Sequence, residues 1–248
     1  MNNFKHNKSS QEELELRKEF YVHFEESPIP KDELLLNLSL FTNKMSLSRL
    51  LFFDKIYRKI LQIQGVIMEF GVYWGRDLAL LQNLRGIYEP FNFNRKIIGF
   101  DTFEGLKGVD FQKDKEQAKE GAFKVSENYI LYLKKVLEYH EQECPLSHIK
   151  KYELIKGDVR VSLGNYLERH PETIIALAYF DMDIYSPTKI ALQLIKPYLA
   201  KGSILVFDEL NYDRFPGETL AVKEVFDLSK LQLRRIEHEP VPCYVVID

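Results

Sequence analysis

Two apolar runs in the second half of the chain each end in a pair of carboxylates. Thr173-Ile-Ile-Ala-Leu-Ala-Tyr-Phe180 is followed by Asp181 and Asp183, and Ser203-Ile-Leu-Val-Phe207 is followed at once by Asp208-Glu209. Runs of this kind, rich in aliphatic and aromatic residues and bounded by polar ones, read as buried strands of a parallel sheet. Ligands of open α/β sheets bind outside the carboxyl ends of the strands. Two such strands side by side bring four carboxylates to one sheet edge. Like charges that close repel unless a cation joins them or one takes a proton. A hard divalent cation with oxygen ligands is the simplest partner.

The rest of the chain supplies the sheet these strands need. Further short apolar runs fall at residues 66–70, 96–100 and 152–156, and helical spacing fills 77–86, 127–141, 161–169, 187–199 and 218–228. Alternating strands and helices predict a doubly wound, Rossmann-like α/β sheet, mostly parallel. Residues 231–237 and 243–247 read as a closing antiparallel pair joined by His238–Pro242. With 248 residues, 45% of them hydrophobic, one sizeable core accounts for residues 63–248. Residues 1–62 read as a helical extension, either a lid or a homo-oligomer contact. Its first ten residues are expected to be disordered. Helices follow at 11–24, 32–37 and 46–62, the last capped by Ser46 or Ser48, with an apolar face among Leu47, Leu50, Leu51, Ile56, Tyr57, Ile60 and Leu61. Residues 103–123 form a long Gly- and Lys-containing loop, the kind that is functional or mobile, with its lysines solvated.

Composition excludes several classes. A net charge of −3 argues against nucleic acid as the main partner. No apolar run approaches the roughly 20 residues needed to span a bilayer. The polar N-terminus lacks the apolar core of a signal peptide, and Cys144 and Cys243 stand in no metal spacing, so a reduced, cytoplasmic setting is expected. The six histidines show no ligand spacing.

The first strand–turn–helix unit is Glu69-Phe-Gly71-Val-Tyr-Trp-Gly75. Glycines here let the backbone turn tightly beside a ligand. Their G-x-x-x-G spacing is not the dinucleotide fingerprint, which counts against a nicotinamide-dependent oxidoreductase. Glu69 has no packing rationale. At the crevice it would repel a pyrophosphate but welcome the amino group of S-adenosylmethionine; a structural turn is the competing reading. Asp101 ends the second strand, where an acidic residue grips ribose hydroxyls, or where Asp101-Thr102 serves as a turn cap. Asp158, after the third strand, faces adenine or caps the next helix. Asp181 or Asp183 as a cap of the helix at Pro187, and Asp208-Glu209 as a solvated turn, are the alternatives to a cation site.

Val66–Gly75, Arg95–Gly105, Lys156-Gly-Asp158, Asp181-Met-Asp183-Ile-Tyr185 and Asp208-Glu209, in this order, resemble the successive motifs of the macrocin O-methyltransferase family, which groups with the aminocoumarin sugar O-methyltransferases. The resemblance implies a class I methyltransferase fold, S-adenosylmethionine and Mg²⁺ as cofactors, and a small-molecule or glycan acceptor methylated on a sugar hydroxyl. It implies that Glu69, Gly71 and Gly75 line the methionine part of the cofactor. Asp101 then holds the ribose, and Phe103 and Asp158 lie near the adenine. Asp181, Asp208 and Glu209 ligate the metal, and Asp183 is the base. The second metal pair departs from relatives that carry Asp-Asp. The alternative function is a non-catalytic nucleoside-binding protein that acts through a partner.

Overall fold

Four strands of the sheet carry a phenylalanine at or next to their last residue, and that residue sets the register. In the computed structural model, which describes residues 9–248, β1 (Val66–Phe70), β2 (Ile97–Asp101), β4 (Ile175–Phe180) and β5 (Leu199–Phe207) run parallel. Phe70 pairs with Phe100 on one side and Phe180 on the other, and Phe180 pairs with Phe207. Their rings lie 5.3, 4.9 and 5.2 Å apart, centroid to centroid, in a continuous row under one face of the sheet. Aromatic rings at such spacings attract beyond their area of burial. One residue further along, each strand places a crevice residue: Gly71, Asp101, Asp181 and Asp208. Backbone bonds carry the ladder through this row, with Gly71 N donating to Phe100 O, Asp181 N to Phe70 O and Asp208 N to Phe180 O.

With β3 (Tyr152–Lys156), β6 (Arg234–Ile236) and β7 (Glu239–Val246), the seven-stranded sheet has the order β3-β2-β1-β4-β5-β7-β6. β3 is parallel to β2, while β7 is antiparallel to β5 and to β6. The expected antiparallel closing pair is therefore present, but its connection is not His238–Pro242. The turn is Glu237-His238, and Pro240 and Pro242 lie within β7. Strand order reverses between β1 and β4, the switch point where ligands of such sheets bind.

Helices α4 (Arg76–Tyr88) and α5 (Tyr129–Gln142) cover one side, where Ile67, Leu78, Leu133, Leu177 and Ile204 share a core cluster. Helices α6 (Val159–Arg169), α7 (Tyr185–Ile195) and α8 (Pro216–Val225) supply or border the other cluster, around the phenylalanine row. No helix of the described residues is long and apolar enough to cross a membrane.

The chain divides into two compact units, Met1–Leu47 and Ser48–Asp248, whereas the sequence reading puts the boundary at residue 62. Expected disorder in the first ten residues falls almost wholly outside the described residues. Ser10 is described, and it caps α1 (Gln11–Glu25) in a capping box with Glu13. Phe41, in a 3-10 turn after the short α2 (Lys31–Leu34), packs its ring on Phe20 and Phe24. Helix α3 (Lys44–Ile60) starts earlier than expected, and its cap is neither Ser46 nor Ser48: Asn43 accepts from the Met45 and Ser46 amides. The buried face of α3 keeps Ile56, Tyr57 and Ile60 of the face read in the sequence but replaces its N-terminal leucines with Arg49, Phe52 and Phe53. Arg49, Phe52, Phe53, Ile56, Tyr57 and Ile60 are buried, while Leu50 and Leu51 are exposed. The aromatic side chains carry more apolar area than the leucines, so their stripe faces the core.

Candidate active site

The acidic cluster begins with alternation along β4. Tyr179 pairs with Glu69 across the β1–β4 ladder, so both side chains face the α3–α4 side, and Asp181 follows two residues later at the strand's end. Asp208 and Glu209 continue β5. One carboxylate oxygen from each of Asp181, Asp208 and Glu209 lies within 4.8 Å of the others. Asp208 and Glu209 are only 5% and 6% exposed, so the solvated-turn reading does not hold. Neither Asp181 nor Asp183 stands at the cap position of the helix that follows. That helix starts at Tyr185, not Pro187; its cap position is Ile184, and no side chain of its own caps it.

Asp183 has a left-handed backbone, φ 63°, and the Ile184 amide donates to Met182 O across it at 2.7 Å. This is a γ-turn with a non-glycine residue at its centre, a strained form that proteins keep mainly at functional sites. Gly71 is a close-approach glycine. Its φ is +94°, and an added Cβ would stand 2.0 Å from the Asp181 carbonyl oxygen. Only glycine lets the β1 turn lie directly against the end of β4. Gly75, at φ 79°, occupies the cap position of α4.

Glu69 is 1% exposed, and its Oε2 has no hydrogen-bond partner. Burial raises its pKa well above the ordinary carboxylate value, and the nearby charges of Asp77 and Asp181 add to this. Glu209 is in a similar position: Oε2 is buried without a partner, and burial plus Asp208, Asp183 and Asp181 push its pKa up. The sequence reading missed a further carboxylate, Glu218 at the start of α8. It is fully buried, accepts from the Glu209 amide at 2.9 Å, and is likewise raised by burial. Its signal was faint: one acid in the first turn of a helix reads as a dipole partner.

Arg49 and Arg76 answer part of this negative charge, and the sequence reading singles out neither. Arg49 of α3, 8% exposed, donates to Asp77 at 2.9 Å, to Asp208 and to Tyr179, and lies 3.4 Å from Asp181. The Tyr179 hydroxyl itself lies 2.7 Å from Asp181 and 3.1 Å from Asp208. Arg76 forms a two-pronged pair with Asp77, both contacts 2.9 Å. Burial alone would raise Asp77, but Arg49 and Arg76 outweigh it and hold the carboxylate well below its ordinary range. One signal was available for Arg49: it stands at positions i−3 and i−4 from Phe52 and Phe53, on the apolar face.

The other candidates sit as follows. Asp101 accepts from the Val72 and Tyr73 amides, both at 2.8 Å, and from the Phe103 amide. It therefore ties the turn after β1 to the turn after β2. Burial raises its pKa against those three donors. Phe103 is buried at φ 55° beside it. Asp158 caps α6 through the Arg160 amide, and the Arg160 guanidinium, closing on the same carboxylate, lowers its pKa. The long loop is docked rather than loose. Ala118, Leu106, Val109 and Phe123 pack with Ile184 and Phe215, and Asp114 accepts from the Tyr185 amide at 2.9 Å. Lys113 is not simply solvated either: it pairs with Glu224 at 2.6 Å and lies 3.6 Å over the Tyr185 ring.

A mostly parallel sheet in this order, closed by an antiparallel strand and lined at its switch point by carboxylates, defines a Rossmann-like methyltransferase. Residues 43–236 match the macrocin O-methyltransferase (TylF) family, and the chain belongs to it. The crystal structure of the calicheamicin methyltransferase CalS11 is similar, at 44% identity and TM-score 0.93, over 96% of this chain and 93% of that one. An apo structure of CalS11, described as a TDP-rhamnose 3′-O-methyltransferase of calicheamicin biosynthesis, aligns at 41% identity and TM-score 0.85 over 96% and 95%. The O-methyltransferase NovP shares the fold at 17% identity and TM-score 0.63, over 81% of this chain and 79% of that one. No curated protein matches the chain. The chain is thus an S-adenosylmethionine-dependent O-methyltransferase.

Proposed function

We propose that the enzyme methylates a hydroxyl of a sugar or sugar-like diol in natural-product or polysaccharide biosynthesis, with Mg²⁺ as a second cofactor and Asp183 as general base. The observation that carries this reading is the convergence of Asp181, Asp208 and Glu209 within 4.8 Å, next to the strained Asp183 turn. An all-oxygen donor set suits a hard divalent cation. The orphaned Glu209 Oε2 fits as well, since a cation would satisfy it. Asp181, Asp208 and Glu209 would hold the ion. When bound there it polarises adjacent acceptor hydroxyls and lowers the pKa of one.

The chain's own groups do the remaining work. Glu69 receives the cofactor's amino group, which supplies the partner its buried oxygen lacks. Gly71 and Gly75 line the methionine portion, Asp101 binds the ribose hydroxyls, and Phe103 and Asp158 flank the adenine. Asp183 takes the hydroxyl proton as the oxygen attacks the sulfonium methyl, whose bond to sulfur breaks to leave neutral S-adenosylhomocysteine. Ring contacts run from Trp74 through Tyr73 and Phe123 to Phe215, at centroid distances of 5.0, 6.0 and 6.5 Å. They offer an apolar wall against which a sugar ring could lie and water be excluded.

A nucleotide-linked deoxysugar is the first acceptor to test, because CalS11 is described as acting on TDP-rhamnose. Methyl transfer from labelled S-adenosylmethionine is followed with Mg²⁺, with chelator, and in Asp181→Ala and Asp183→Asn. The reading expects turnover with Mg²⁺ and loss in the other three conditions. Full turnover in chelator removes the metal, and full turnover in Asp183→Asn removes the base.

A further inference from the structure

We propose that Arg49 is the resident counter-cation of the carboxylate cluster, and that a divalent cation binds by displacing its guanidinium from Asp208 and Asp181. The inference rests on the metal reading above and deepens it. Arg49 shares two carboxylates, Asp208 and Asp181, with the candidate metal set. A guanidinium held at contact distance on two carboxylates and a divalent ion bound by the same two carboxylates would repel each other strongly. The pair is buried, with side-chain exposures of 9% for Arg49, 7% for Asp208 and 18% for Asp181, so water screens that repulsion little.

The cluster is built for such an exchange. Asp77 lies outside the candidate metal set and holds Arg49 at 2.9 Å, so the guanidinium keeps one carboxylate when it releases the others. Asp77 is itself kept in place by Arg76 through a second pair of bonds. At the far side, Glu209 presents a buried oxygen with no partner, the one position in the candidate set that Arg49 leaves unsatisfied. Arg49 is anchored by its helix, since Phe52, Phe53 and Ile56 on the same face are fully buried. It therefore has little freedom to leave the cluster, only to shift within it. The guanidinium thus holds the acidic side chains together before the ion arrives, and it lowers the net affinity for that ion.

Mn²⁺ and Mg²⁺ binding to the full-length protein is measured by calorimetry, alongside metal-free thermal unfolding, for the wild type and for Arg49→Met and Arg49→Lys. Removing a competing cation should tighten Mn²⁺ binding in Arg49→Met roughly 5- to 150-fold, the usual range of coupling between two ligands. Its metal-free melting temperature should fall and be recovered by Mn²⁺. Arg49→Lys, which keeps the charge with fewer donors, should lie between, and it carries the test if Arg49→Met does not fold. Unchanged or weaker Mn²⁺ binding in both variants overturns the exchange while leaving the metal site standing. Absence of Mn²⁺ binding to every form, wild type included, overturns the metal reading itself.

Discussion

At Glu69 one carboxylate oxygen is sealed from water and has no partner, an arrangement worth keeping only if something else comes to it. If that partner is the cofactor's ammonium, Glu69→Gln should weaken S-adenosylhomocysteine binding by about 10- to 100-fold, since hydrogen bonds to charged groups contribute about 1.5–3 kcal/mol. The cofactor-free melting temperature should not fall, because the substitution removes a buried acid and keeps the shape. Calorimetry and thermal unfolding read both, and unchanged affinity would show that Glu69 does not meet the cofactor. The two thiols differ in a similarly local way. Cys243 is buried, and desolvation pushes its pKa up to about 12, whereas Cys144 is half-buried. Mild alkylation of the native protein near pH 8 should mark Cys144 and spare Cys243, as peptide mass spectrometry would report. The sequence singles out Glu69 because an acid at that turn lacks a packing rationale. Arg49 escaped it because the neighbouring leucines suggested a different helix face.

Elements meet at the site through two close approaches. Gly71 lies against the end of β4, and Gly71→Ala would force both a methyl into the Asp181 carbonyl and a left-handed backbone on a non-glycine residue. A loss of roughly 2 kcal/mol or more is expected, read by urea unfolding, in keeping with strain costs of about 1–3 kcal/mol. The second approach latches the long loop to α7 and α8. Hydrogen bonds from Lys113, Lys189 and Tyr185 draw the pKa of Glu224 down to about 2. A group depressed in the folded state stabilises fully above its ordinary value and loses that contribution progressively as pH falls from there through its folded-state value. The latch should therefore hold at neutral pH and loosen progressively below about pH 4.5, the ordinary value, towards 2. Hydrogen exchange in residues 103–125 should show it, and Glu224→Gln should loosen the same segment at neutral pH. The loop's existence was legible from its lack of periodicity. Its docking was not, because Asp114, Lys113 and Glu224 are ordinary surface residue types until the fold brings them together.

For the whole molecule, folding gathers like charge at one sheet edge, and Arg49 and Arg76 offset part of it. Ligands that bind only the folded state raise its stability, by about 2.7 kcal/mol at a hundredfold excess over the dissociation constant. Mg²⁺ should accordingly raise the melting temperature, S-adenosylhomocysteine should raise it independently, and chelator should reverse only the first. A chelator-insensitive melting temperature in the presence of Mg²⁺ would count against the metal. The class of fold was visible from strand and helix periodicities alone, down to the antiparallel closing strand. The length of the closing turn was not, since proline is rare in strands and Pro240 and Pro242 argue locally for a loop.

The sequence by itself determined the alternation of elements, the carboxylates at strand ends and the glycines that let β1 and β4 touch. These depend on residue type and near-neighbour spacing, which any reader of the chain can inspect. Only the tertiary structure decided which charges face one another: Arg49 from α3, Asp77 from α4, Glu218 from α8, and the acids after β4 and β5. Those positions are up to 169 residues apart. Their meeting depends on strand register and helix rotation, and a turn of about 100° per residue carries a side chain from solvent to the centre of the site.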